Sequence, residues 1–153
     1  MRRILAHLLA LALVLAALPA LAQSTYLSVM VHNGGAREVL GQVKGPQPLA
    51  RDLRVAPQEL VFLADRNPAP HGQPATHRYR LAFVERASFA PLCRAEVEVV
   101  NRWETGPRLL ACRARTQGPG CRAESERQGA DLCAVTIWLA PPAAPAPAAP
   151  PRR

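Results

Sequence analysis

Apolar and polar residues alternate along much of the chain between residues 26 and 139, with the two-residue period of a half-buried β-strand. In residues 26–32, Leu27, Val29 and Val31 fall on one face and Tyr26, Ser28, Met30 and His32 on the other. Asn33, Gly34 and Gly35 follow, types that accept the positive φ of tight hairpin turns, so a hairpin to a second arm at residues 38–43 is predicted. Residues 60–64 are continuously apolar and too short for a helix, which reads as a buried strand. Residues 65–77 hold three prolines, a glycine and two histidines and read as the longest irregular loop of the domain. The alternation resumes in residues 78–85, with Tyr79, Leu81 and Phe83 in phase, and in residues 93–99, with Ala95, Val97 and Val99 in phase. Pairing these two as a hairpin sets Arg78 and Arg80 against Glu96 and Glu98 across the strands. Residues 109–115 read as a further strand, residues 122–131 as a polar loop or one to two helical turns, and residues 132–139 as the closing strand.

About seven strands separated by turn residues predict an all-β domain, a small antiparallel sandwich. The strand count is compatible with an immunoglobulin-like architecture. Trp103, in a predicted turn, and the close spacing of Cys93 and Cys112 do not match that architecture's usual core tryptophan and inter-sheet bridge. Architecture of this kind carries no function by itself.

The two ends have different compositions. Residues 1–22 run from Arg2 and Arg3 through an apolar stretch at 4–18 to a small-residue exit at Ala20, Leu21 and Ala22, the order of a cleavable secretory signal. Fifteen apolar residues are short of the roughly 20 needed to span a bilayer, so no transmembrane segment is expected after cleavage. The arginine pair does not sit in the longer twin-arginine consensus, and the general secretory route is the expectation. Residues 141–153, PPAAPAPAAPPRR, have nothing to bury and read as an extended Pro/Ala-rich tail, leaving residues 23–140 as one domain.

Four cysteines, Cys93, Cys112, Cys121 and Cys133, form an even set without any CxxC pair. In an exported chain that predicts two disulfides rather than a zinc site. Of the three pairings, Cys93 with Cys112 and Cys121 with Cys133 is the expectation, because each closes a neighbouring pair of segments. Periplasmic or secreted localisation follows.

Charge narrows the partners. Eighteen of the 19 basic residues are arginine and they are scattered, while aromatic residues are only 5% of the chain. That pattern argues against a nucleic-acid interface, which interleaves basic and stacking residues. Attraction to anionic envelope surfaces fits better.

Candidate chemistry is sparse. Met30 and His32 project from one strand face, and a thioether with an imidazole suits Cu(I), with His71 or His77 as the third donor. Asp65, His71 and His77 in one loop, with Ser88 and Ser125 elsewhere, supply the residue types of a hydrolase. No GxSxG, HExxH or SxxK context accompanies them. Glu96 and Glu98 are better explained as ion-pairing residues than as a glycosidase pair. Trp103 and Trp138 are candidate aromatic contacts, Trp138 lying out of phase with Val135, Ile137 and Leu139. The expected function is therefore a non-catalytic, protein-binding accessory module of the bacterial envelope, with no catalytic or cofactor-binding residues assigned. A small copper carrier and a hydrolase are the alternatives.

Overall fold

Each run with a two-residue period forms a strand whose apolar phase turns inward. The computed structural model describes residues 23–46, 51–70, 72–103 and 108–139; the predicted signal, the Pro/Ala-rich tail and His71 lie outside these. Among the described residues there are nine strands and no helix: β1 (Gln23–Asn33), β2 (Val39–Lys44), β3 (Arg51–Val55), β4 (Leu60–Ala69), β5 (Ala75–Glu85), β6 (Pro91–Trp103), β7 (Arg108–Gln117), β8 (Cys121–Gln128) and β9 (Leu132–Leu139). They form a four-stranded sheet in the order β4-β1-β9-β8 and a five-stranded sheet in the order β3-β2-β5-β6-β7. Neighbours are antiparallel throughout except β1 and β9, the first and last strands, which run parallel. The inner faces bury one apolar cluster that includes Val29, Val31, Leu81, Phe83, Val97, Val99, Val135 and Ile137.

The β5–β6 hairpin has the predicted register, with Arg78 opposite Glu98 and Arg80 opposite Glu96, and Arg78 donates to Glu98 at 3.0 Å. Four other expectations are corrected. The Asn33-Gly34-Gly35 segment is not a hairpin turn: β1 lies in the four-stranded sheet and β2 in the five-stranded one, so the chain crosses between layers there. Asn33 is buried and holds the crossover, its Nδ2 donating to the carbonyls of Arg37, Val55 and Ala56 and its Oδ1 accepting from the Gly35 amide.

The predicted loop at residues 65–77 is mostly strand, because β4 continues to Ala69 and β5 begins at Ala75. β4 is an edge strand, where Pro68 can be accommodated without breaking a ladder on both sides. Residues 122–131 are neither loop nor helix; their greater part is β8, another edge strand, whose exposed Arg122, Glu124 and Glu126 alternate with Ala123 and Ser125.

Disulfide connectivity is the fourth correction: Cys93 bonds Cys121 and Cys112 bonds Cys133, with Cα separations of 5.9 and 5.6 Å. Cys93 and Cys112 lie on adjacent strands, but Cys112 is in register with Val99. The offset of six positions from Cys93 to Val99 amounts to about 20 Å of strand, far beyond the roughly 7 Å limit for bridging. Cys121 and Cys133 are staggered in the same way, Cys133 facing Arg127. Both bonds therefore join the two sheets rather than neighbouring segments.

The β7–β8 turn makes the first bond reachable. Gly118 has φ +98°, and a Cβ on Gly120 would sit 2.5 Å from the Leu92 carbonyl oxygen, so both positions require glycine for β8 to close on β6. Two disulfides are the mark of an oxidising compartment. None of the described segments is a helix long and apolar enough to cross a membrane.

Candidate functional site

The outer face of the four-stranded sheet carries exposed large apolar side chains on its β4 and β1 side and charged ones on its β8 side. Its rows follow from the register: Leu60, His32, Trp138 and Arg122; then Phe62, Met30, Thr136 and Glu124; then Ala64, Ser28, Ala134 and Glu126; then Arg66, Tyr26, Leu132 and Gln128. Phe62 is 66% exposed, Tyr26 45% and Leu60 41%, which makes this face home to three of the five exposed large hydrophobics among the described residues. Met30, Leu132 and Trp138 fill the spaces between them, half-buried. The Arg122 guanidinium lies 4.5 Å from the Trp138 ring centroid, a cation–π contact that closes one flank. Contiguous exposed apolar surface of this kind marks binding sites more often than chance.

The edge of the same sheet is open beside this patch. Three edge strands carry charge: β8 through Arg122, Glu124 and Glu126, β3 through Asp52 and Arg54, and β7 through Arg113 and Arg115. Charges on an edge discourage pairing with another chain. Residues 60–64 of β4, LVFLA, carry none, and only the far half of the strand is blunted, by Arg66 and Pro68. An extended segment can add to such an edge through main-chain hydrogen bonds while alternate side chains reach the apolar face.

Met30 and His32 do share this face, as the alternation predicted. Their cross-strand neighbours are Phe62, Thr136, Leu60 and Trp138, none of which is a good copper ligand. His77 sits in the inward phase of β5 with its Nε2 3.0 Å from the Pro68 carbonyl oxygen, well away from the pair. Among the described residues there is no group of three or more His, Cys, Asp or Glu able to hold a metal ion.

The hydrolase types are dispersed. Ser88 donates to Glu85 at 2.9 Å beyond the end of β5, whereas His77 is near its start, about 26 Å away along the strand. Ser125 donates to the Cys112 carbonyl at the inter-sheet seam. Asp65 instead meets Tyr79, whose hydroxyl is 2.6 Å from Asp65 Oδ2 and 2.6 Å from Asn67 Oδ1. One phenolic proton serves one acceptor at a time, and the carboxylate is the stronger. Burial first, then the hydrogen bond and charge of Asp65, hold the Tyr79 phenol above its ordinary range. Glu85 is shifted the other way, its carboxyl held below the usual range by hydrogen bonds from Arg37 and then Ser88. The space between the sheets next to Tyr79 is about 30 Å³, room for a water molecule rather than an organic ligand.

The tyrosine contact has a measurable consequence. The folded state keeps the phenolic proton to higher pH than the unfolded chain, so stability falls once pH passes the unfolded value of about 10. Tyr79→Phe is expected to flatten that alkaline decline and to cost about 1–2 kcal/mol at neutral pH, because Asp65 and Asn67 lose their shared partner. Urea unfolding at pH 8 and pH 11 checks both effects; an unchanged alkaline slope contradicts the assignment.

Of the two tryptophans, Trp138 lies on the apolar outer face, and Trp103 ends β6 in the inward phase, half-buried opposite Arg108. They are on different sheets and do not form one contact surface. Tyr26 falls in the outward phase that the alternation predicted, whereas Leu60 and Phe62, also prominent on this face, were not legible as such. An uninterrupted LVFLA run resembles a strand buried on both sides, and only the position of β4 at the sheet edge leaves Phe62 uncovered. The chain matches no protein-family model, and no curated protein is significantly similar to it.

Proposed function

We propose that this protein is an exported, non-catalytic binding module of the bacterial cell envelope, periplasmic or secreted, that docks a protein partner on the outer face and open β4 edge of its four-stranded sheet. The observation that carries this reading is the exposed pair Leu60 and Phe62 beside Met30, with Tyr26 further along the same face, next to an edge segment without charge. The geometry suits an extended partner strand that pairs with residues 60–64 and lays apolar side chains over Phe62 and Leu60. Two inter-sheet disulfides support a working environment outside the reducing cytoplasm. They also brace the side of the sandwich opposite β4, joining β6 and β7 to β8 and β9, so the docking edge lies away from the cross-links.

Tagged protein, exported from the full-length sequence, is compared with its Phe62→Glu and Phe89→Glu variants for what each retains from envelope extract. Phe89 is 69% exposed but lies off the face, so it controls for the loss of any exposed phenylalanine. The expected outcome is one stoichiometric partner held by the wild type and Phe89→Glu, and reduced at least about tenfold by Phe62→Glu, since a buried aromatic anchor contributes that much or more. Equal retention by all three overturns the docking face.

A further inference from the structure

The opposite sheet differs in kind. The outer phase of the five-stranded sheet carries Lys44, Arg54, Arg78, Arg80, Arg94, Arg102, Arg113 and Arg115, against only Asp52, Glu96 and Glu98. That is a net charge of +5 on one face, while residues 23–140 as a whole carry 15 basic and 11 acidic residues, net +4. The entire charge excess of the domain therefore sits on this sheet, and arginines that look scattered in the sequence are gathered by the register. Arg54 is held by Glu38 and Arg78 by Glu98. Lys44, Arg80, Arg94, Arg102, Arg113 and Arg115 have no carboxylate within 4.0 Å among the described residues.

We propose that this face lies against an anionic phospholipid surface. Arg78, Arg80, Arg113 and Arg115 frame the Glu96–Glu98 line at spacings of about 7 Å along the strands and about 10 Å across them, a planar array rather than a cleft. A shallow depression of about 530 Å³ bordered by Lys44, Arg80, Arg94 and Arg115, four cations against the single carboxylate Glu96 in its lining, gives a phosphate headgroup somewhere to enter. Arginine is suited to that contact, its planar fork matching phosphate oxygens two at a time. Single-stranded nucleic acid is the less suited polyanion, because no aromatic side chain stands in the outer phase of these strands to stack a base. With this face toward a bilayer, the apolar face of the other sheet points away from it, so the two surfaces can be occupied together. The lipid contact does not depend on the partner.

The test uses the protein exported from its full-length sequence and sedimented with vesicles of phosphatidylglycerol in phosphatidylcholine, or of phosphatidylcholine alone. Binding is expected only to the anionic vesicles, and is expected to fade between about 50 mM and 500 mM salt as the Debye length shrinks. The triple change Arg80→Glu, Arg94→Glu and Arg115→Glu is expected to lower partitioning by roughly tenfold or more. A milder set with glutamine at the same positions gives an intermediate value and guards against misfolding, as does an unchanged near-UV circular dichroism spectrum. Three results overturn the proposal: equal partitioning of wild type and triple variant, loss of vesicle binding with Phe62→Glu instead, or tighter binding to a single-stranded oligonucleotide than to anionic vesicles.

Discussion

Replacing Cys112 and Cys133 together by alanine is expected to lower the unfolding free energy by about 3 kcal/mol, and replacing Cys93 with Cys121 by slightly more. The bonds span 21 and 28 residues, and loop-closure entropy in the unfolded chain grows with the logarithm of that span. Each bond also ties one sheet to the other, so its loss loosens the layer contact as well as the unfolded chain. Cys133 is fully buried, and alanine there adds a small void beside Leu27, its register partner on β1. Because a domain of this size has only about 5–15 kcal/mol in total, the variant without all four cysteines is expected to lose its cooperative transition. Urea unfolding of both pair variants and of the quadruple variant measures this. A loss below about 1 kcal/mol for either pair contradicts the inter-sheet bracing.

Asn33→Ala is expected to cost about 3 kcal/mol, and Asn33→Asp more. The side chain is 1% exposed, with Nδ2 at 2.8 Å from the Arg37 carbonyl oxygen and 3.1 Å from those of Val55 and Ala56. Its Oδ1 accepts from the Gly35 amide at 3.0 Å. Alanine leaves these groups without a partner at the crossing between the sheets, and each orphaned buried group costs about 1–3 kcal/mol. Aspartate keeps the shape but turns the donor into a charged acceptor facing three carbonyl oxygens. The order wild type, alanine, aspartate in falling stability at pH 7 is the signature, read by chemical unfolding. Aspartate equal to or better than alanine contradicts the donor role. The crossover also sets the orientation of β1 and β4, because the Asn33 amide donates to the Glu59 carbonyl and the Asn33 carbonyl accepts from Gln58.

The strands with one buried face were legible because the period shows directly in the side chains: β1, β5, β6 and β9 each contain a run with apolar residues at every second position. Legibility failed where a decision depended on distant partners. Asn33, Gly34 and Gly35 have hairpin chemistry, yet β1 takes β9 as a neighbour, a strand more than a hundred residues later. Cysteine pairing followed from strand stagger, which spacing along the chain does not encode. β8 hid behind its polarity, since an edge strand pinned by a disulfide needs few apolar residues of its own. Of the candidate face, Met30, His32 and Trp138 were correctly placed in the outward phase. Phe62 and Leu60 were not, because a run apolar on both phases does not reveal which side is covered. The basic face was invisible for a related reason: Arg80, Arg94 and Arg115 are far apart in sequence and adjacent only through the β5, β6 and β7 register.

The most direct measurement of the docking account is photo-cross-linking in the cell. A benzophenone amino acid is placed at position 62 on the face, and separately at position 89 off it. Both native phenylalanines are similarly exposed, at 66% and 69%, so reactivity toward solvent and bystanders is matched. The account predicts a discrete protein adduct from position 62 and none from position 89. An adduct from position 89 with none from position 62 would contradict it.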